Sequence, residues 1–251
     1  MMFEEYNGKV VFVTGAASGI GQAQAQRFLE NGACVFGFDK QEEGLYDLSA
    51  LHKERFAYYV GSVSDKEAVA AAVNQCLAQF QTIDILLNTA GMLDGYTPTL
   101  DTDEALWDAV MDTNVKGLYV VTNAVLPRML KRGKGVVVNI ASIAGLVAGG
   151  GGAAYTASKH AIIGYTKQLT YDYSRSGIRA NAIAPGAIKT PMNQADFVGD
   201  GETATWVAEE TPAGRWATPK EVADLTLFVA SNAADYMHGA VLPLDGGWTV
   251  K

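Results

Sequence analysis

The chain has 251 residues, a formal net charge of −8, 49% hydrophobic and 18% charged residues. That is enough apolar material for one large α/β domain with a substantial core, and too much for a disordered chain. The acidic balance argues against nucleic acid or an anionic membrane as a partner.

Two cysteines (Cys34, Cys76) and three scattered histidines (His52, His160, His238) form no ligand cluster, so neither a metal centre nor a disulfide framework is expected. The segment Met1 to Lys9 carries two glutamates and no apolar run, unlike a signal peptide. No stretch reaches the ~18 uninterrupted apolar residues of a membrane span. A cytoplasmic protein is expected.

Val10-Val11-Phe12-Val13 is a short continuous β-branched run, the pattern of a strand buried on both faces of a parallel sheet. It leads into Thr14-Gly15-Ala16-Ala17-Ser18-Gly19-Ile20-Gly21 and a helix reaching Asn31. Glycines at a strand-to-helix turn let the backbone approach a pyrophosphate, and the helix start adds free N–H groups and a positive dipole end. A second strand over Ala33 to Phe38 ends at Asp39, eighteen residues after Gly21, where a carboxylate can accept from ribose hydroxyls.

Arg55 to Val60 is the third strand. Ser64 or Asp65 caps a helix to Phe80. Ile83 to Asn88 is the fourth strand, followed by a long helix from Asp103 to Lys131 whose interior holds Asn114. Gly135 to Ala141 is the fifth strand and delivers Ser142 at its C-terminal end, the edge where open α/β sheets bind ligands. The glycine-dense stretch Gly145 to Gly152 precedes a helix running to about Arg175. Ile178 to Ala184 is the sixth strand. Thr190 to Pro219 reads as an irregular lid with a short helix near Glu202–Glu210. A helix over Lys220–Ser231 and a strand over Ala240–Leu244 close the chain.

Tyr155 and Lys159 stand four residues apart on the expected sixth-strand approach helix and share one face. A free tyrosine titrates near about pH 10, and a neighbouring ammonium pulls that value down. With the Ser142 hydroxyl to hold an oxygen, the group is suited to proton transfer in a carbonyl–alcohol interconversion.

Thr14-Gly-x-x-x-Gly19-x-Gly21, Asn88-Thr-Ala90-Gly91, Asn114, Ser142, Tyr155-x-x-x-Lys159 and Pro185-Gly186 occur in the order seen in the short-chain dehydrogenases/reductases. From about Lys9 to the C-terminus the chain resembles the compact single-domain branch of that family. The resemblance implies one Rossmann-type, doubly wound parallel sheet of about seven strands with helices on both faces, filling residues 1–251 as one domain. It implies Tyr155 as general acid/base, Lys159 lowering its pKa and holding the nicotinamide ribose, Ser142 positioning the substrate oxygen, and Asn114 in a proton relay.

Gly15, Ser18, Gly19, Ile20 and Gly21 would cradle the pyrophosphate. Asp39, Ser62, Val63, Asn88, Ala90 and Gly91 would lie along the adenosine half, and Pro185, Gly186, Ile188 and Thr190 along the nicotinamide end. Ser62 stands where many relatives have an aspartate, and Thr89 where asparagine is common. Asp39 and the non-basic Ser18 favour NAD over NADP, with Lys40 the contrary sign.

The expected activity is interconversion of a small or medium neutral secondary alcohol and its ketone, within a pocket walled by Met92, Leu93, Tyr96, Leu146, Val147, Met192 and Trp206. Two alternatives stand beside it. One is a 3-oxoacyl-thioester reductase, gripping an acidic carrier through Arg128, Lys131, Arg132 and Arg175. The other is a non-catalytic NAD-binding sensor or scaffold. A homotetramer is expected by family resemblance.

Overall fold

The computed structural model describes residues 3–250; Met1, Met2 and Lys251, the ends of the expected domain, lie outside the described residues. Seven strands form one parallel sheet: β1 (Val10–Thr14), β2 (Cys34–Asp39), β3 (Phe56–Val60), β4 (Ile85–Asn88), β5 (Gly135–Ile140), β6 (Ile178–Pro185) and β7 (Val241–Leu244). Their spatial order is β3-β2-β1-β4-β5-β6-β7. The order reverses between β1 and β4, which pair in parallel through Val11–Ile85, Phe12–Leu86 and Val13–Leu87. In open α/β sheets a ligand crevice forms at that reversal, outside the strands' carboxyl ends.

The helices are α1 (Gly19–Glu30), α2 (Glu43–Leu51), α3 (Lys66–Phe80), α4 (Glu104–Met111), α5 (Leu118–Arg132), α6 (Ala153–Tyr173), α7 (Glu202–Glu210) and α8 (Pro219–Ala230). Alternate residues of each strand feed two cores, because successive side chains point to opposite faces. Val11, Val13, Val35 and Ile183 pack with Phe28, Leu48 and Leu227 on one face. Phe12, Phe36, Leu86 and Val137 pack with Val73, Val125, Met129 and Leu169 on the other. Phe12 is fully buried and stacks on Phe36 at 5.4 Å. Truncating such a phenylalanine to alanine costs about 3–5 kcal/mol.

Three expectations need correction. A helix, α2, stands between β2 and β3, where none was expected. The continuous helix expected over Asp103 to Lys131 is interrupted: α4 and α5 are joined by a π-helical segment, Asp112–Gly117, containing Asn114. Such single-turn widenings concentrate at functional sites. The lid is also more ordered than expected, since Pro191–Phe197 is 3-10 helical ahead of α7. The lid has a neck, where Lys189 N–H donates to the Ala217 carbonyl and Ala217 N–H to that of Ala187, both at 2.9 Å.

Among the described residues no helix is long and apolar enough to cross a membrane.

Candidate active site

The carboxyl ends of β1, β2, β4, β5 and β6 open on one cavity of about 510 Å³. Gly15, Ser18, Gly19, Ile20, Gly21, Asp39, Ser62 and Val63 line one end. Ala90 and Gly91 line the middle, and Ser142, Tyr155, Lys159, Pro185, Gly186, Ile188 and Thr190 the other end. Residues far apart in the chain are thus brought to one crevice, as their motifs imply.

The glycine-rich turn divides its labour. A Cβ on Gly15 would stand 2.9 Å from the Ala90 backbone, so the turns after β1 and β4 meet only over a glycine. A Cβ on Gly21 would stand 2.1 Å from the Gly15 carbonyl oxygen, so α1 starts flush against the turn. Gly19, at φ +54°, lines the cavity, and its nearest neighbour would be Thr190 at 3.4 Å across the mouth. It leaves bare backbone where an anion can approach. Thr14 Oγ1 ties the two turns together by accepting from Thr89 N–H at 2.9 Å and Ala90 N–H at 3.0 Å. Gln24 bridges both to α8: its amide donates to Thr226 Oγ1 at 2.9 Å and its oxygen accepts from Thr89 Oγ1 at 2.6 Å.

Asp39 ends β2 inside the cavity, where its carboxylate accepts from Ala17 N–H and Gln41 N–H, each at 3.0 Å. Lys40 and Gln41 line the same end. Asn88 departs from expectation, being buried behind the cavity wall with its amide donating to Thr122 Oγ1 at 3.0 Å and Asn139 Oδ1 at 2.9 Å. Asn88 therefore braces β4 against β5 and α5 and does not line the cavity.

Ser142, two residues beyond the end of β5, accepts from Ala144 N–H at 3.1 Å and so caps a short 3-10 turn. Tyr155 and Lys159 lie one turn apart on α6 and are 9% and 4% exposed. The Lys159 ammonium is 5.3 Å from the Tyr155 ring centre and donates to the Ile140 carbonyl at 3.0 Å.

The expectation that Lys159 lowers the Tyr155 pKa is not met in this structure. Burial pushes the phenol up to about 12, opposed by its hydrogen bond with Ser142 and assisted by the nearby Tyr96 and Asp94. Burial also pulls Lys159 down to about 8. Both side chains have left water, and desolvation favours the neutral form of each.

Asn114 is fully buried beneath Gly91, its amide donating to the Met92 carbonyl at 3.0 Å and to Ser158 Oγ at 3.0 Å. Its Oδ1 accepts from Met92 N–H at 2.8 Å. A Cβ on Gly91 would come within 3.3 Å of that oxygen and 3.7 Å of Lys159 Nζ.

Of the expected pocket wall, Met92, Leu93 and Met192 line the cavity, joined by Thr113 and Asn193, which sequence reasoning did not single out. Tyr96, Leu146, Val147 and Trp206 lie outside its lining. Trp206 turns instead to Trp248, edge-on at 6.4 Å. The basic residues expected to grip a carrier are at the wrong edge. Arg132 bonds the Ile83 carbonyl at 2.9 Å and Asp84 at 3.2 Å, before β4, and Arg175 precedes β6. Lys131 and Arg128 end α5 just ahead of β5, on that same amino-terminal edge.

A dinucleotide-shaped crevice beside a buried tyrosine, lysine and serine defines an α/β oxidoreductase of alcohols and carbonyls. A family model described as enoyl-(acyl carrier protein) reductase matches residues 15–249. The chain is 41% identical over 249 residues to a 2-(R)-hydroxypropyl-CoM dehydrogenase of Xanthobacter autotrophicus, covering 96% of this chain and 98% of that one. It is 36% identical over 250 residues to 3beta-hydroxysteroid dehydrogenase 2 of Eggerthella lenta, covering 96% and 95%.

A gluconate 5-dehydrogenase of Burkholderia cenocepacia, solved in complex with NADP and tartrate, superposes with a TM-score of 0.91 at 34% identity over 98% of this chain and 96% of that one. The chain belongs to the short-chain dehydrogenase/reductase family. It is an NAD(P)-dependent oxidoreductase acting on CH–OH groups.

Proposed function

We propose that the protein interconverts neutral secondary alcohols and ketones, prefers NAD(H), and moves the reacting proton through Tyr155. The observation that carries this reading is the buried Ser142–Tyr155–Lys159 group at one end of a cavity whose other end is the glycine turn. The residues fit a dinucleotide: Gly19 exposes backbone for the pyrophosphate, Asp39 offers a carboxylate to the adenosine ribose, and Lys159 offers an ammonium to the nicotinamide ribose. When bound, the nicotinamide supplies or takes the hydride.

The chain's own residues handle the proton. In ketone reduction the Tyr155 hydroxyl donates to the developing alkoxide, while Ser142 donates a second hydrogen bond to the same oxygen. In alcohol oxidation the Tyr155 phenolate takes the hydroxyl proton. With the phenol raised to about 12, the protonated form dominates at neutral pH, so reduction is favoured there and oxidation speeds up as pH rises. Asn114, bonded to both backbone groups of Met92, keeps the wall behind Lys159 in register and is the site for a relay to solvent.

The NAD preference rests on Asp39, which would repel a 2′-phosphate. Lys40 in the same lining and the NADP-bound neighbour are the contrary signs. Dissociation constants for NADH and NADPH decide it: NADH is expected to bind at least about tenfold more tightly, a difference of about 1.4 kcal/mol. Tighter NADPH binding contradicts the preference.

The apolar Met92, Leu93 and Met192 favour an uncharged substrate. The carrier-bound alternative has the family model's description behind it, but the four basic residues expected to grip a carrier stand at the far edge of the sheet. NADH-coupled rates on cyclic and open-chain ketones against acetoacetyl thioesters separate the two, and thioesters tenfold faster would favour the carrier reading.

The half-exposed Tyr119, with Val115, Leu118, Ile162 and Tyr165, forms an apolar face along α5 and α6 suited to a second copy, in keeping with the expected homotetramer. Light scattering measures that directly.

A further inference from the structure

The first N–H groups of a helix have no partner within it and need an acceptor from outside. For α6, whose third residue is Tyr155, the residue ahead of the helix is Gly152, which has no side chain to offer. The acceptor comes instead from Asp94, in the loop after β4. Its Oδ1 accepts from Gly152 N–H at 2.8 Å and its Oδ2 from Tyr155 N–H at 2.8 Å. Asp94 is 3% exposed.

The fit leaves no slack. A Cβ on Gly152 would lie 2.6 Å from Asp94 Oδ2 and 2.4 Å from the Thr97 carbonyl oxygen. Ala153 N–H donates to that Thr97 carbonyl at 3.1 Å, and Thr97 Oγ1 donates back to the Asp94 carbonyl at 2.6 Å. The loop and the helix start are one hydrogen-bonded unit.

The same carboxylate organises Tyr96. Asp94 Oδ1 accepts from Tyr96 N–H at 3.2 Å, and Tyr96 sits at φ +60°, a conformation costly for a residue with a side chain. From there the Tyr96 hydroxyl reaches Asp196 Oδ2 on the lid at 3.4 Å. The groups shifting the Tyr155 phenol are therefore Ser142 from beyond β5 and Tyr96 and Asp94 from the β4 loop, with the Lys159 ammonium over the ring. Asp94 adds to the phenol's hold on its proton.

We propose that Asp94 is a positioning residue for the reaction, a buried cap supplied from the cofactor-side loop that fixes where Tyr155 stands and sets a negative charge beside it. The inference rests on the reading that Tyr155 transfers the proton.

The test uses the full chain and its best secondary alcohol, with kcat, KM and NADH binding measured from pH 6 to 11. Asp94→Asn keeps the shape and one acceptor but removes the charge and leaves one N–H unpaired. It is expected to bind NADH within about threefold of the wild type, to lose about tenfold in kcat for reduction of the matching ketone at pH 7, and to move the rising limb of oxidation toward lower pH by about half a unit. The sign follows from the charge: without the carboxylate the phenol gives up its proton more easily.

Asp94→Glu keeps the charge and misplaces it, so its reduction kcat at pH 7 should fall while its oxidation limb stays near the wild-type position. Asp94→Ser, which also caps helices well, replaces the Asn variant should that fail to fold. An unmoved limb in a folded neutral variant overturns the proposal, as does full turnover by the Glu variant. Tyr155→Phe run in parallel keeps the two claims apart. If it abolishes the limb while Asp94→Asn leaves it unmoved, only the role of Asp94 fails; if it retains turnover, the Tyr155 reading fails.

Discussion

The two ends of the cavity are built on different principles. At the dinucleotide end the turns are packed backbone to backbone and tied by hydrogen bonds: the Thr14 hydroxyl holds two N–H groups of the next turn, and Gly15 and Gly21 sit where no Cβ fits. At the other end part of the wall is a lid flap joined to the fold at one neck; Met192, which lines the cavity, is 46% exposed, and Trp206 and Val198, beyond the lining, are 57% and 71% exposed. The first end is fixed by the packing of the turns themselves. The second is held by side chains and can be reshaped without disturbing the sheet. Tyr155 stands at the join, on a helix whose start is pinned from the first region.

The sharpest way to break this comparison is to place the same methyl group in each region. Gly21→Ala drives a Cβ to 2.1 Å from the Gly15 carbonyl, whereas Gly199, at φ +74° in the lid, has nothing within 4 Å of its would-be Cβ. Gly21→Ala is expected to weaken NADH binding by about a hundredfold and to lower the melting temperature by several degrees. Gly199→Ala should cost only the ~1 kcal/mol of its left-handed backbone and leave NADH binding unchanged. Equal effects in calorimetry and titration would erase the distinction.

Lys159→Met sharpens the join. Turnover should fall by about a hundredfold or more, with weaker NADH binding, if the one ammonium has the two tasks proposed for it, beside the reacting phenol and at the ribose. A second readout is stability without dinucleotide. Buried Lys159 releases its proton near pH 8, against 10.5 for an ordinary lysine, so between those values the unfolded chain binds more protons and Lys159 makes stability rise with pH. The wild-type melting temperature minus that of the Met variant should therefore increase from pH 8 to 10. A flat difference would mean that Lys159 is not desolvated as described.

The smallest effect belongs to the flap. Trp206→Ala removes the edge-on contact with Trp248 and is expected to change KM by about two- to fivefold while kcat and NADH binding hold. A collapse of kcat would show that the lid reaches the chemistry.

Much of this was legible in the chain. The β1 run, the glycine turn, the helix over 66–80 and the short lid helix over 202–210 follow from local pattern, and the structure has them at nearly those bounds. The helix α2 was hidden because Gly44 in its first turn reads as a turn residue. Gly44 is there because a Cβ would meet the Ala17 carbonyl at 1.9 Å, a constraint no local pattern carries. The π segment was hidden because one extra residue per turn barely disturbs helical periodicity; Asn114 bonding across to Met92 is what occupies it.

At the site, Ser142, Tyr155 and Lys159 are named through the family resemblance, because a four-residue spacing alone is a weak signal, and the structure brings the three to one cavity. The raised phenol could not be named, because it depends on how thoroughly the fold excludes water. Asp94 was readable only as a charge near the pocket, since the groups it caps lie 58 and 61 residues further on. The misplaced basic cluster teaches the same thing: Arg132 looks available in the chain and is committed to Asp84 at the far edge of the sheet.

The most direct test of the central claim is Tyr155→Phe, which removes one hydroxyl from a buried ring and little volume. Single-turnover and steady-state rates in both directions, with NADH binding by fluorescence titration, measure what that hydroxyl does. The expected result is dinucleotide binding within about threefold of wild type and a kcat lower by about 10²- to 10⁴-fold. A phenylalanine variant that keeps a tenth or more of wild-type kcat would contradict the account.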